Sequence, residues 1–285
     1  AIKPLIFSAL VSKLFGMKNR VFALGGLGFI FSSEKLLAKI LRPLIVFLLK
    51  YCLSGNNTRL IIQNIDDCKI IWGLKIIEEG RTRLIEGAGV DIQRFKPENS
   101  NPEEIPIVVL PARFLWDKGI GEFVEAAEII KSKSILAKFV LVGGPDSHNP
   151  ENIDSEVIDG WIKNGLIESW GFRNDMPNVI KASSIICLPS YREGIPKCLI
   201  EAASCGKPIV TTNVPGCREV VTHGLNGYLV NARSSEELAI FLEKLILDKK
   251  LRLSMGSEGR NIAIKRFSEE LIVKQTRKVW EEVLL

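Results

Sequence analysis

Two carboxylates, Glu193 and Glu201, stand eight residues apart in the stretch EGIPKCLIE, after the apolar run ASSIICLPS and before the small-residue run AASCGKPIVTT. Ile185 to Leu188 reads as a buried strand, Pro189 to Ile195 as a loop, and Pro196 as the first residue of a helix, where its missing N–H costs nothing. Glu193 then lies in the loop and Glu201 one turn inside the helix. Between them Gly194, Ile195, Pro196 and Lys197 lead into a helix start, whose outward N–H groups carry partial positive charge and seat an anionic diphosphate. A carboxylate on each side accepts hydroxyl hydrogen bonds. This suits a sugar joined through diphosphate to a ribose, Glu193 serving the sugar and Glu201 the ribose. The bland alternative is helix capping beside a solvated Glu.

A second cluster precedes it in LPARFLWDKGIGEFVEAAEII. Ile107 to Pro111 is an apolar run, Arg113 to Lys118 a polar connection, and Gly119 opens a helix with apolar spacing at Phe123, Ala126, Ala127 and Ile130. Arg113 and Lys118 therefore follow a strand's carboxyl end, the edge at which open parallel sheets bind ligands. A guanidinium fork and an ammonium point charge there suit phosphate oxygens.

The segment PSYREGIPKCLIEAASCGKPIVTTNVPGCREVVTHGLNGYLV closely resembles the donor-binding core of the family four glycosyltransferases, retaining enzymes of the two-domain B fold. The Arg113 to Lys118 stretch resembles the same family's basic loop, which implies that Arg113 and Lys118 hold the donor diphosphate. The resemblance also implies that Phe172 and Arg173, after Gly171, contact the base. GGLG, with Gly26 and Gly28, resembles the first-domain loop that faces the donor phosphates and the acceptor. Many members carry a His in that loop, where this chain has glycine. Gly143 and Gly144 follow another buried strand, and Gly143 lets the backbone pass close to the nucleotide, although a plain turn reads the same.

From Ile105 onward strands and helices alternate, the α/β pattern of a doubly wound parallel sheet. The expected organisation is a partial acceptor-side domain over 1–90, a linker over 91–106 in the three-proline stretch DIQRFKPENSNPEEIP, and a nucleotide-sugar-binding domain over 107–268. By resemblance a final helix over 269–285 crosses back toward the first domain, giving two Rossmann-like domains of the B fold. The resemblance further implies that the family's first βα units are missing here and that the first domain is incomplete.

The 285 residues carry a formal charge of +5 that is not gathered in a basic run, so nothing points to nucleic acid. Six cysteines without a C-x-x-C pair suggest reduced buried thiols in a cytoplasmic protein. No D-x-D occurs, and Asp66 and Asp67 read as helix-start chemistry behind an Asn64 cap, so no metal is expected. The segment LLAKILRPLIVFLLKYCL is interrupted by Lys39, Arg42, Pro43 and Lys50 and falls short of a membrane span. It reads as a helix kinked at Pro43, either buried or lying on an anionic membrane surface at the inner face of the cytoplasmic membrane.

The expected activity is transfer, with retention, of a hexose or N-acetylhexosamine from a nucleoside diphosphate sugar, UDP-linked by preference, to a glycan or polyprenyl-linked acceptor. Resemblance narrows this to bacterial surface-polysaccharide enzymes. The nucleotide sugar is a co-substrate and no further cofactor is expected. Two competing readings stand beside it: a sugar-nucleotide epimerase of the same fold, and an inactive nucleotide-binding fragment.

Overall fold

The computed structural model describes residues 2–28, 31, 36–98 and 105–284. Residues 99–104 of the expected linker lie outside them, as do Phe29 and Ile30 beside the glycine-rich loop. The chain forms two compact units, one of Ala1–Gly89, Arg192–Ile195 and Glu269–Leu285, the other of Val90–Tyr191 and Pro196–Ser268.

The first unit has a three-stranded parallel sheet of β1 (Arg20–Leu24), β2 (Thr58–Ile62) and β3 (Thr82–Leu84), in that order. Strand periodicity sends alternate side chains to opposite faces. Leu24, Leu60 and Ile62 join Leu5 of α1 (Ile2–Leu14), Leu49 of α2 (Leu36–Cys52) and Cys68 and Ile71 of α3 (Ile65–Gly73) in one core. Val21, Ile61 and Ile85 form a second cluster with Ile272 and Val279 of the last helix, Glu269–Leu284. Arg59 is two residues before Ile61, and Arg83 is its register partner. Both donate to Glu282 of that helix, at 3.3 and 2.6 Å.

The second unit holds six parallel strands: β4 (Ile107–Pro111), β5 (Lys138–Val142), β6 (Glu168–Ser169), β7 (Ile185–Leu188), β8 (Ile209–Thr212) and β9 (Gly227–Val230). Their order is β6-β5-β4-β7-β8-β9, so the order reverses between β4 and β7. The central strands are continuous apolar runs, and β7 and β8 are wholly buried, as expected where helices cover both faces. The connecting helices are α4 (Ile120–Ser132), α5 (Ser155–Lys163), α6 (Met176–Ala182) and α7 (Lys197–Ser204), followed by α8 (Ser235–Leu247) and α9 (Lys249–Phe267). In chain order Glu269–Leu284 is α10.

At the amino edge of this sheet, cations close the helix ends. Lys207 donates to the carbonyls of Lys181 and Ser183 after α6, and Arg252 to Leu245 and Ile246 of α8. Arg260 donates to Ser204 of α7 as well as to Ile92 and Phe95. These carbonyls lack intrahelical donors and sit at the negative end of the helix dipole, so charged donors there are favourable. The cations also line a cavity of about 580 Å³ beside Ser183, Ser184 and Pro208.

Candidate active site

Within the second unit, Arg113, Lys118, Gly143, Phe172, Arg173, Pro196 and Lys197 all follow carboxyl ends of the six-stranded sheet. Arg113 follows β4 and is 60% exposed at its side chain, with Nη1 2.5 Å from Asp146. Lys118 ends the short 3₁₀ turn Trp116–Lys118, and Gly119 then takes a left-handed conformation, φ 72°. A Cβ at 119 would stand 2.2 Å from the carbonyl of Pro189, so the Arg113 to Lys118 connection lies directly against the chain leaving β7. Tyr191 closes the same contact. Its N–H donates to Asp117 at 2.9 Å and its hydroxyl to Glu122 at 2.6 Å, with the Arg233 guanidinium 4.6 Å above its ring. Burial and the Glu122 carboxylate push the Tyr191 hydroxyl well above its usual range.

Gly143 follows β5 at φ 155°, and a Cβ there would meet the Ala112 carbonyl at 1.9 Å. Its glycine is thus required by the neighbouring strand end, whatever lies beyond it. Phe172 follows β6 and is 76% exposed, while Arg173 donates two hydrogen bonds to the Asp175 carboxylate, from Nη2 at 2.6 Å and Nε at 2.7 Å. That pairing holds the Asp175 carboxyl down at about 2.

Pro196 is the N-cap of α7 and the helix begins at Lys197, one residue later than the sequence reading placed it. The Pro196 side chain makes no capping hydrogen bond. A proline brings no N–H to the cap, and its fixed φ suits either position, which explains the slip of one residue. Glu201 is 7% exposed, with Lys197 3.9 Å away. Burial raises its carboxyl pKa, while Lys197 and Arg94 pull the other way.

Arg192, Glu193, Gly194 and Ile195 belong to the first unit. Gly194 lies on the turn after β1: a Cβ there would be 1.8 Å from the Gly25 carbonyl and 3.1 Å from the Gln63 side chain. Gly26, at φ 141°, backs onto the same spot, its own Cβ position 3.3 Å from Gly194 Cα. Gly28 is exposed three residues beyond Gly25. Glu193 is half-buried between the two anchored residues.

The structure adds one cluster that sequence reading missed. Asn64 caps α3 as expected, its Oδ1 accepting from Asp67 N at 2.8 Å. The Asp67 carboxylate, however, is fully buried and accepts from Arg192. The capping pattern signalled the helix start, but nothing local signals a partner 125 residues away. Among the described residues, no three His, Cys, Asp or Glu side chains converge in a metal-binding arrangement. All six cysteines are free thiols, five of them buried and Cys198 partly so.

Residues 91–262 match the family described as glycosyl transferases group 1. The chain belongs to that family. It is 29% identical over 296 residues to the N,N'-diacetylbacillosaminyl-diphospho-undecaprenol alpha-1,3-N-acetylgalactosaminyltransferase of Campylobacter jejuni, spanning the whole of this chain and 76% of that protein. It is 27% identical over 286 residues to the UDP-Gal:alpha-D-GlcNAc-diphosphoundecaprenol alpha-1,3-galactosyltransferase of Escherichia coli, covering 96% of this chain and 71% of that one. Among solved structures, HepE of Anabaena in complex with UDP and glucose superposes with a TM-score of 0.81 at 22% identity, over 99% of this chain and 76% of its own. That likeness establishes the glycosyltransferase B fold, with its two Rossmann-like domains.

Proposed function

We propose that this group 1 glycosyl transferase moves a hexose or N-acetylhexosamine from a UDP-linked donor to a polyprenyl-diphosphate-linked acceptor in the building of cell-surface polysaccharide. One observation carries the reading. The basic Arg113 to Lys118 connection and the strand-loop-helix that ends in Glu201 both leave the sheet where its order reverses, between β4 and β7. That crevice is the ligand position of doubly wound sheets. The similar enzymes of C. jejuni and E. coli are named for diphosphoundecaprenol-linked acceptors, the second also for a UDP-linked donor.

In this reading Arg113, Lys118 and the start of α7 take the diphosphate, Glu201 the ribose hydroxyls and Glu193 the transferred sugar. Arg113 is paired with Asp146, so the diphosphate replaces one anionic partner with another. Charge on the departing nucleotide is then met by fixed cations and N–H dipoles, which supports a metal-independent reaction. Same-face attack assisted by the leaving phosphate needs no protein nucleophile and gives retention, the course resembled family four enzymes follow.

A membrane-facing acceptor side fits the first unit. The exposed stripe of α2 is Leu36, Ile40, Leu44, Phe47 and Tyr51, and α1 adds exposed Phe7, Val11 and Leu14. These two helices contain no Asp or Glu but carry Lys3, Lys13, Lys39, Arg42 and Lys50. Residues 1–64 hold nine Lys and Arg against one acid, whereas the remainder holds 29 against 32, an asymmetry the net charge conceals. No described helix is long and apolar enough to cross a membrane. Apolar side chains among basic ones, on helices too short to span, suit an interfacial seat on anionic lipid.

Calorimetric titration with UDP, GDP and ADP, repeated on Glu201→Ala, tests the donor half. Selective UDP binding that the substitution weakens supports it, and no binding by a folded chain overturns it. Turnover of UDP-sugars on a synthetic polyprenyl-diphosphate N-acetylhexosamine, with NMR of the product anomer, tests acceptor and retention.

A further inference from the structure

We propose that Asp67 is a positioning residue for Glu193, acting through Arg192. Asp67 is the third residue of α3, where a carboxylate ordinarily faces solvent and gains a little from the helix dipole. Here its exposure is 0%. Burying a carboxylate is costly unless charge and hydrogen bonds compensate it, and capping does not explain the burial, since Asn64 already supplies the cap. Its two oxygens are used elsewhere. One accepts from the Arg192 guanidinium. The other accepts from Asn64 Nδ2 at 3.1 Å and from the backbone N–H of Leu27 at 3.3 Å.

Asp67 thereby joins three separate pieces of chain: the start of α3, the glycine-rich turn after β1 and the segment Arg192–Ile195. Arg192 is fixed through its side chain and Gly194 through backbone contact with Gly25, so Glu193 is held from both neighbours. The side chain of Arg192 is 23% exposed, and its charge is balanced from the protein interior. Loss of the Asp67 charge leaves that guanidinium without its buried counter-ion and removes the anchor on the Arg192 side of Glu193. The Leu27 bond ties the same carboxylate to the turn on which Gly194 rests, so one side chain sets both the loop and its support.

What Glu193 does with a sugar rests on the transferase reading above, but the anchoring does not, and the experiment separates the two. Hydrogen exchange by mass spectrometry is compared for the full chain, Asp67→Asn, Arg192→Gln, the double variant and Arg192→Lys. Removing a buried charge pair is expected to speed exchange of the Leu27 amide, whose acceptor is the Asp67 carboxylate, by at least ~10-fold in either single variant, with β4 to β9 unchanged. The double variant should be no worse than the singles, and Arg192→Lys should recover part of the protection. In parallel, UDP affinity should stay within ~2-fold while kcat for UDP-N-acetylgalactosamine falls by at least ~30-fold at little-changed donor KM, the split expected of a mispositioned group. Unchanged exchange at Leu27 in a folded variant overturns the proposal, as does UDP affinity falling in step with kcat. Should Asp67→Asn fail to fold, Arg192→Gln decides alone. A wild-type chain that turns over no UDP-sugar sinks the transferase reading, while the exchange data still judge the anchor.

Discussion

Gly194 lies so close to Gly25 that a methyl group on its α-carbon would stand 1.8 Å from the Gly25 carbonyl oxygen. No rotamer relieves a backbone contact of this kind, so the loop itself must move. Gly194→Ala is expected to cost about 1–3 kcal/mol of stability as overpacking. Transfer should drop by roughly 100-fold, the scale of a 1 Å displacement at a reacting group. Thermal melting together with single-turnover kinetics checks both. Wild-type rates in a folded Gly194→Ala chain would show that the loop's position does not matter.

Glu201 separates stability from binding. Its pKa is raised because burial disfavours the ionised form, so the neutral form is the one the fold prefers. The contribution to stability is therefore full below the unfolded carboxyl value and is lost as pH rises through the folded one. Glu201→Gln, neutral at every pH, should melt at or above the wild-type temperature at neutral pH and lose that advantage in acid. UDP should nevertheless bind more weakly to it, by roughly 1–3 kcal/mol for lost acceptance of ribose hydroxyls. In the wild type the affinity should fall as pH drops through the raised value. Titrations across pH, beside melting curves, test the sign of both effects.

Arg113 and Asp146 make a second separable pair, 2.5 Å apart with the arginine largely exposed. If the diphosphate displaces Asp146 from Arg113, Asp146→Asn should tighten UDP by a factor of about 2 to 5, since a surface ion pair of this kind is worth at most ~1 kcal/mol. Arg113→Ala should weaken UDP by roughly 1.5–3 kcal/mol and leave uridine unaffected. Equal losses for UDP and uridine would remove Arg113 from the phosphate site.

The apolar stripes of α1 and α2 predict binding to phosphatidylglycerol vesicles and not to phosphatidylcholine alone, weakened by salt. Phe7→Glu and Phe47→Glu should each reduce partition by at least ~10-fold, the equivalent of losing one buried aromatic side chain. Co-sedimentation measures it. Partition that survives both substitutions would move the contact elsewhere.

The second unit is the part of the fold most legible in the sequence, because parallel strands buried on both faces are apolar runs such as IICL and FVLV. The strand β6 is two polar exposed residues, Glu168 and Ser169, and carries no such signal. The helix α1, IKPLIFSALVSKL, is apolar around most of its circumference, so it lacks the one-sided period by which a helix is recognised. In the candidate site, the positions of Arg113, Glu193 and Glu201 along the chain could be read from the sequence because each adjoins the end of a readable element. The Asp67 to Arg192 pair was not, since a contact across 125 residues depends on where the chain goes between them.

The first unit draws on three stretches of chain, and the last of them is α10. During synthesis the six-stranded sheet and all its helices are complete by Ser268, while one face of the three-stranded sheet, with Val21, Ile61 and Ile85, still lacks Ile272 and Val279. At roughly 5–20 residues per second, that face waits on the order of 10–40 s between the synthesis of Ile85 and that of Ile272. The unit whose strands are made before the six-stranded sheet is therefore the one that finishes folding after it, and until α10 arrives the nascent chain carries an uncovered strand surface for chaperones to shield.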